Sequence, residues 1–187
     1  MPAGVVVALG LANVLADGFS MAAGNYSGTK AVADDRRRLL QVEERHIREN
    51  RQGELDELKQ ILARKGLRGR VLKDATAMIS ENKEQWVNLM MAEEYGLPTV
   101  EARPMRAAVV IFVAFVAAGL LPLLPYLIGL DPAFSWSIGI AACTFFGIGA
   151  IKARWSLAHW LRSGTETLVI GGAAATLAFA VGRLFHP

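Results

Sequence analysis

The chain has 187 residues, 53% hydrophobic and 20% charged, with a formal net charge of +3 and a mean hydropathy of +0.32. This apolar content excludes a long disordered chain, and the single cysteine, Cys143, excludes a disulfide framework. The net charge is smaller than a nucleic-acid binder of this size carries in its basic patch. The averages conceal a segregation: 16 of the 20 Lys and Arg and 14 of the 17 Asp and Glu lie within residues 27–106. A soluble globule does not sort its charge this way, whereas an integral membrane protein with one hydrophilic insert does.

In chain order, the first apolar span covers residues 5–23, VVVALGLANVLADGFSMAA. About 20 helical residues cross the hydrocarbon core, so it is long enough to span. It has no basic leader and is interrupted by Asn13 and Asp17, which argues against a signal peptide. The insert follows and reads as helical. No Gly or Pro occurs in residues 29–50, so the first helix is expected to run on past the membrane. Gly53 marks a break, residues 54–65 a second helix stopped by Gly66, residues 72–79 a short third, and Ser80 the N-cap of a fourth that ends at Gly96-Leu97-Pro98. Three further apolar spans come next, at residues 107–130, 134–151 and 165–181, with a turn at Asp131-Pro132. The last is rich in Gly and Ala, which allows close helix packing, and Glu166 is expected to stabilise its N-terminus.

The fold class is therefore all-α: an integral membrane bundle of four transmembrane helices with a cytoplasmic helical insert. Its expected divisions are 1–27, 28–105 and 106–187. Four crossings put the insert and the loop carrying Lys152, Arg154 and Arg162 on one side, which the positive-inside rule makes cytoplasmic. Both termini then lie outside. His159 sits in that loop between Trp155 and Trp160, an interfacial pattern; Cys143 is expected to pack within the membrane, and His186 to be inert. The short termini, with no targeting segment, point to a prokaryotic plasma (inner) membrane.

Glu43 and His46 are three apart and share a helix face, Glu54 and Glu57 repeat the spacing, and the fourth helix offers Met90, Met91, Glu93 and Glu94. If the helices bundle, Glu43, His46, Glu54, Glu57 and Glu94 face inward together, and such a cluster repels itself unless cations neutralise it. Carboxylate and imidazole suit Fe²⁺, Mn²⁺ or Zn²⁺, and thioether sulfur tilts the site further from Mg²⁺ and Ca²⁺. A solvated face of ordinary Glu/Arg pairs is the competing reading of the same spacing. Asp17 inside a crossing helix is costly and marks an ion path, with Met21 one turn on; hydration of Asp17 near the helix end is the alternative. No nucleophile–base constellation or phosphate-binding loop is present, so the chain does not read as an enzyme.

Residues 15–27 (LADGFSMAAGNYS), 90–97 (MMAEEYGL), 119–127 (GLLPLLPYL) and 171–185 together resemble the vacuolar iron transporter family, over nearly the whole chain. In that family's pattern a Glu stands where this chain has Asn25. The resemblance implies a homodimer that moves Fe²⁺, often also Mn²⁺, out of the cytosol in exchange for protons. It implies metal ligands at Glu43, Glu54, Glu57, Met90, Met91 and Glu94, with His46 replacing a further Glu, and a pore methionine at Met21. The family has five crossing helices, and this chain begins at what looks like the second, so Asp17 does not align with the family's pore aspartate. A membrane-anchored metal-binding or sensing protein that does not transport is the alternative function.

Overall fold

The computed structural model describes residues 3–97 and 102–185, and all of their regular structure is helical. Pro98 and His186 lie outside the described residues. α1 spans Ala3–Glu49 without interruption, 47 residues, or roughly 70 Å at the helical rise. The break expected at Gly53 falls at Asn50. Asn50 leaves helical geometry (φ −135°, ψ 56°), and its side-chain oxygen accepts from the Gly53 N–H at 3.3 Å. This makes Asn50 an N-cap, so α2 spans Arg51–Arg64 and Gly53 lies within its first turn, where a Cβ would meet the Asn50 side chain.

α2 ends at Lys65, followed by Gly66 in the left-handed region at φ +96°. α3 (Gly69–Glu81) is longer than the expected 72–79, and α4 spans Lys83–Glu93. Ser80 does not cap α4. Its hydroxyl donates to the Ala77 carbonyl at 2.9 Å within α3, and Asn82 takes the cap by accepting from the Gln85 N–H at 3.2 Å. A serine satisfied inside its own helix leaves the cap to the next suitable side chain. Beyond α4 the Leu97 N–H donates to the Met91 carbonyl at 3.1 Å, across Gly96 at φ +65°.

α5 (Pro104–Leu120), a 3₁₀ turn (Leu121–Leu123) and α6 (Leu124–Leu127) make up the second apolar span. It comes in three pieces because Pro122 and Pro125 cannot donate backbone hydrogen bonds. α7 (Ala133–Lys152), a 3₁₀ turn (Ala153–Trp155) and α8 (Trp160–Phe185) complete the chain. α8 starts ahead of the expected residue 165. Glu166 therefore lies in its second turn, past the reach of the dipole, and does not stabilise the N-terminus. Four stretches are long and apolar enough to cross a membrane: Ala3–Glu49, Pro104–Leu127, Ala133–Trp155 and Trp160–Leu184.

Contacts sort the chain into two compact units, one made of the stretch to Ala22 with that from Val109, the other of Ala23–Ala108. In the first unit the helices meet through glycines. Gly18 faces Phe112 and Phe115, Gly119 faces Val14, Gly164 faces Phe146 and Gly171 faces Phe145. The buried Ser163 hydroxyl donates to the Gly149 carbonyl at 2.7 Å and fastens α8 to α7. Cys143 is not packed: it is exposed on an apolar groove with Leu121, Trp136, Gly139, Ile140 and Thr144, because its turn of α7 points outward. In the second unit the core comprises Ile47, Leu58, Ile61, Leu62, Trp86, Val87, Met90 and Met91.

The α7–α8 contact yields a paired test. A Cβ at Gly149 would lie 2.6 Å from Thr167 Oγ1 and 2.8 Å from Gly164 Cα, whereas a Cβ at Gly172 meets nothing within 4 Å. Gly149→Ala is expected to destabilise by about 1–3 kcal/mol, as overpacking does. Gly172→Ala is expected to be neutral or stabilising by up to about 1 kcal/mol. Thermal unfolding in detergent distinguishes them.

Candidate metal site

Each sequence-predicted carboxylate of the insert stands one helical turn from a core residue on its own helix. Glu43 precedes Ile47, Glu54 precedes Leu58, Glu57 precedes Ile61, and Glu94 follows Met90. Side chains four apart share a face, so apolar packing pulls the carboxylates in with it. Glu43 is 0% exposed and Glu54 is 7% exposed; Glu57 and Glu94 stay exposed and line a cleft of about 210 Å³ with Gln60, Ile61 and Arg64.

Neither Glu43 oxygen has a hydrogen-bond partner, and Glu54 Oε2 also lacks one. Two carboxylates are both acceptors and cannot satisfy each other. A single proton resolves the conflict. Burial, followed by the charges of Glu54 and Glu94, pushes the Glu43 carboxyl up to about 8. Burial, then the charge of Glu57, raises Glu54 also, while the neighbouring Glu43 and His46 oppose that rise. His46 itself is exposed, with Nδ1 3.7 Å from Glu54 Oε1, so the two residues expected on one face differ sharply in burial.

Met90 and Met91 are 0% and 2% exposed and belong to the apolar core. Among the described residues, no group of three or more His, Cys, Asp or Glu side chains is placed to hold one ion as it stands. The carboxylates thus gather electrostatically without forming a closed coordination shell. One member escaped the sequence reading: Tyr95. Burial and the charges of Glu94 and Glu43 push its phenol up to about 12. Its adjacency to Glu94 before the Gly96 turn was the available signal.

In the other unit, Asp17 and Met21 lie one turn apart on α1 and are both exposed, while neighbouring Gly18 packs on Phe112 and Phe115. The face carrying Asp17 is thus left uncovered by this chain's own helices.

A family model described as the VIT family matches residues 1–183. The chain belongs to the VIT family. It is 30% identical over 98% of its length to vacuolar iron transporter 1 of Tulipa gesneriana, covering 75% of that protein. It is 32% identical over 97% of its length to vacuolar iron transporter 2 of Oryza sativa subsp. japonica, again covering 75%. To the vacuolar iron transporter of Toxoplasma gondii it is 32% identical over 97% of its length, covering 64%. These eukaryotic relatives, named for the vacuole, give no support to the prokaryotic plasma membrane expected from the termini.

The buried carboxyl sets a pH dependence of stability. The Glu43 pKa is about 8 in the folded chain against an ordinary 4.5, so between those values the folded state holds a proton that the unfolded state has lost. The stability this confers is fully present below about 4.5 and is lost as pH rises through about 8. The urea midpoint of the metal-free protein is expected to fall from pH 5 to pH 8. In Glu43→Gln that fall is expected to flatten.

Proposed function

We propose that the chain is a transition-metal ion transporter. Its insert gathers Fe²⁺, with Mn²⁺ as a second substrate, and passes it out of the cytosol in exchange for protons. The observation that carries this reading is Glu43, wholly buried without a hydrogen-bond partner and surrounded by Glu54, Glu57 and Glu94. A buried carboxylate pair must hold a proton or a cation, and a divalent ion that binds there displaces the proton. The same groups thereby exchange one cargo for the other. The printed names of the relatives, vacuolar iron transporters, support iron as the substrate.

The proposed ligands are Glu43, His46, Glu54, Glu57, Met90, Met91 and Glu94, with Zn²⁺ a third ion that this donor set accepts. Met90 and Met91 reach the carboxylates by rotamer change, which their unbranched side chains allow. Asp17 and Met21 are the proposed membrane path. Because their face is uncovered within one chain, a second copy completes the path, and the working unit is a homodimer with the insert on the cytoplasmic side.

The test is Fe²⁺ flux into proteoliposomes under an imposed pH gradient, with Fe²⁺ binding measured on the same sample. Gradient-dependent flux is expected. Binding without flux would instead establish the non-transporting metal-binding alternative. Asp17→Asn is expected to abolish flux and leave binding intact; unchanged flux would remove Asp17 from the path. Binding should weaken by about tenfold per pH unit below pH 8 while one proton is exchanged, and Glu43→Ala should weaken it by at least about tenfold at pH 8.

A further inference from the structure

The Ser163 hydroxyl to Gly149 carbonyl bond closes the neck of the segment 150–162. Within that closed loop stand three cations, Lys152, Arg154 and Arg162, and five exposed large apolar side chains, Ile151, Trp155, Leu157, Trp160 and Leu161. Trp155 is 81% exposed, Leu157 109% and Trp160 51%. No Asp or Glu occurs between Asp131 and Glu166, and none of the three cations belongs to an ion pair among the described residues. Arg162 is moreover in the first turn of α8, which holds no acidic residue, so its charge opposes the helix dipole. A fully exposed Leu beside two Trp, on a loop joining two membrane-length helices, fits the headgroup and acyl boundary. The unpaired cations then call for an anion at headgroup depth.

We infer that this loop docks on net-anionic phospholipid, with Trp155, Leu157 and Trp160 seated in the interface and Lys152, Arg154 and Arg162 on the headgroup phosphates. A zwitterionic headgroup also carries phosphate, but its own cation cancels the attraction. The loop therefore selects anionic lipid over zwitterionic lipid, by about fivefold for each cation engaged. This inference rests on the membrane spans and is independent of metal handling.

The experiment is quenching of tryptophan fluorescence in liposomes of phosphatidylcholine containing a few mole per cent of brominated phosphatidylglycerol or, separately, brominated phosphatidylcholine. The part of the quenching lost in Trp155→Phe belongs to Trp155. That part is expected to be several-fold larger with the brominated anionic lipid, and to fall to the zwitterionic level in Lys152→Gln/Arg154→Gln/Arg162→Gln. It is also expected to fall in the unaltered chain as salt is raised, a readout free of any folding defect in the triple variant. Equal quenching by the two lipids in the unaltered chain at low salt overturns the inference. So does an anionic preference that survives both the triple substitution and high salt.

Discussion

The Glu43 carboxyl is held in an apolar environment within reach of three other carboxyls, and much of the insert's chemistry follows from that. The position is set by packing. Ile47, Leu58 and Ile61 are drawn into the core, and the acidic residues one turn away on the same faces are drawn in behind them. Burial strengthens every charge interaction there and removes the water that would otherwise separate them. The Glu43 carboxyl is accordingly pushed up to about 8, which favours its protonated form. His46 beside Glu54 places an imidazole where another carboxylate would have added repulsion.

The membrane unit is governed by a different constraint. Between helices in lipid the hydrophobic effect gives little drive, so backbones must approach closely. Gly18, Gly119, Gly149, Gly164 and Gly171 supply the space, and aromatic or branched side chains from neighbouring helices fill it. The Ser163 to Gly149 bond does the same work with a hydroxyl, and also fixes the ends of the basic, tryptophan-bearing loop. One short contact therefore determines both how α8 lies on α7 and which side chains the loop presents.

Much of this was legible beforehand. Charge segregation and apolar length gave four spans and an acidic and basic insert, because the bilayer imposes its thickness on any sequence that crosses it. The absence of Gly and Pro after Gly28 gave the long α1. The helix boundaries inside the insert were less legible. Gly53 and Ser80 looked like punctuation, yet Asn50 and Asn82 hold the caps, since a cap depends on which side chain reaches a free N–H. Glu166 was misplaced for the same reason: α8 begins at Trp160, where no strong stop signal is written.

The sequence by itself determined the residue types of the site and their helical spacing, because periodicity alone places Glu43 with Ile47 and Glu54 with Leu58. Only the tertiary structure decided which of them lose their water. Glu43 and Glu54 are buried, while Glu57, Glu94 and His46 remain exposed, and Met90 and Met91 join the core. That division depends on how α1, α2 and α4 meet, and burial, unlike spacing, is a property of the assembled helices and not of any one of them.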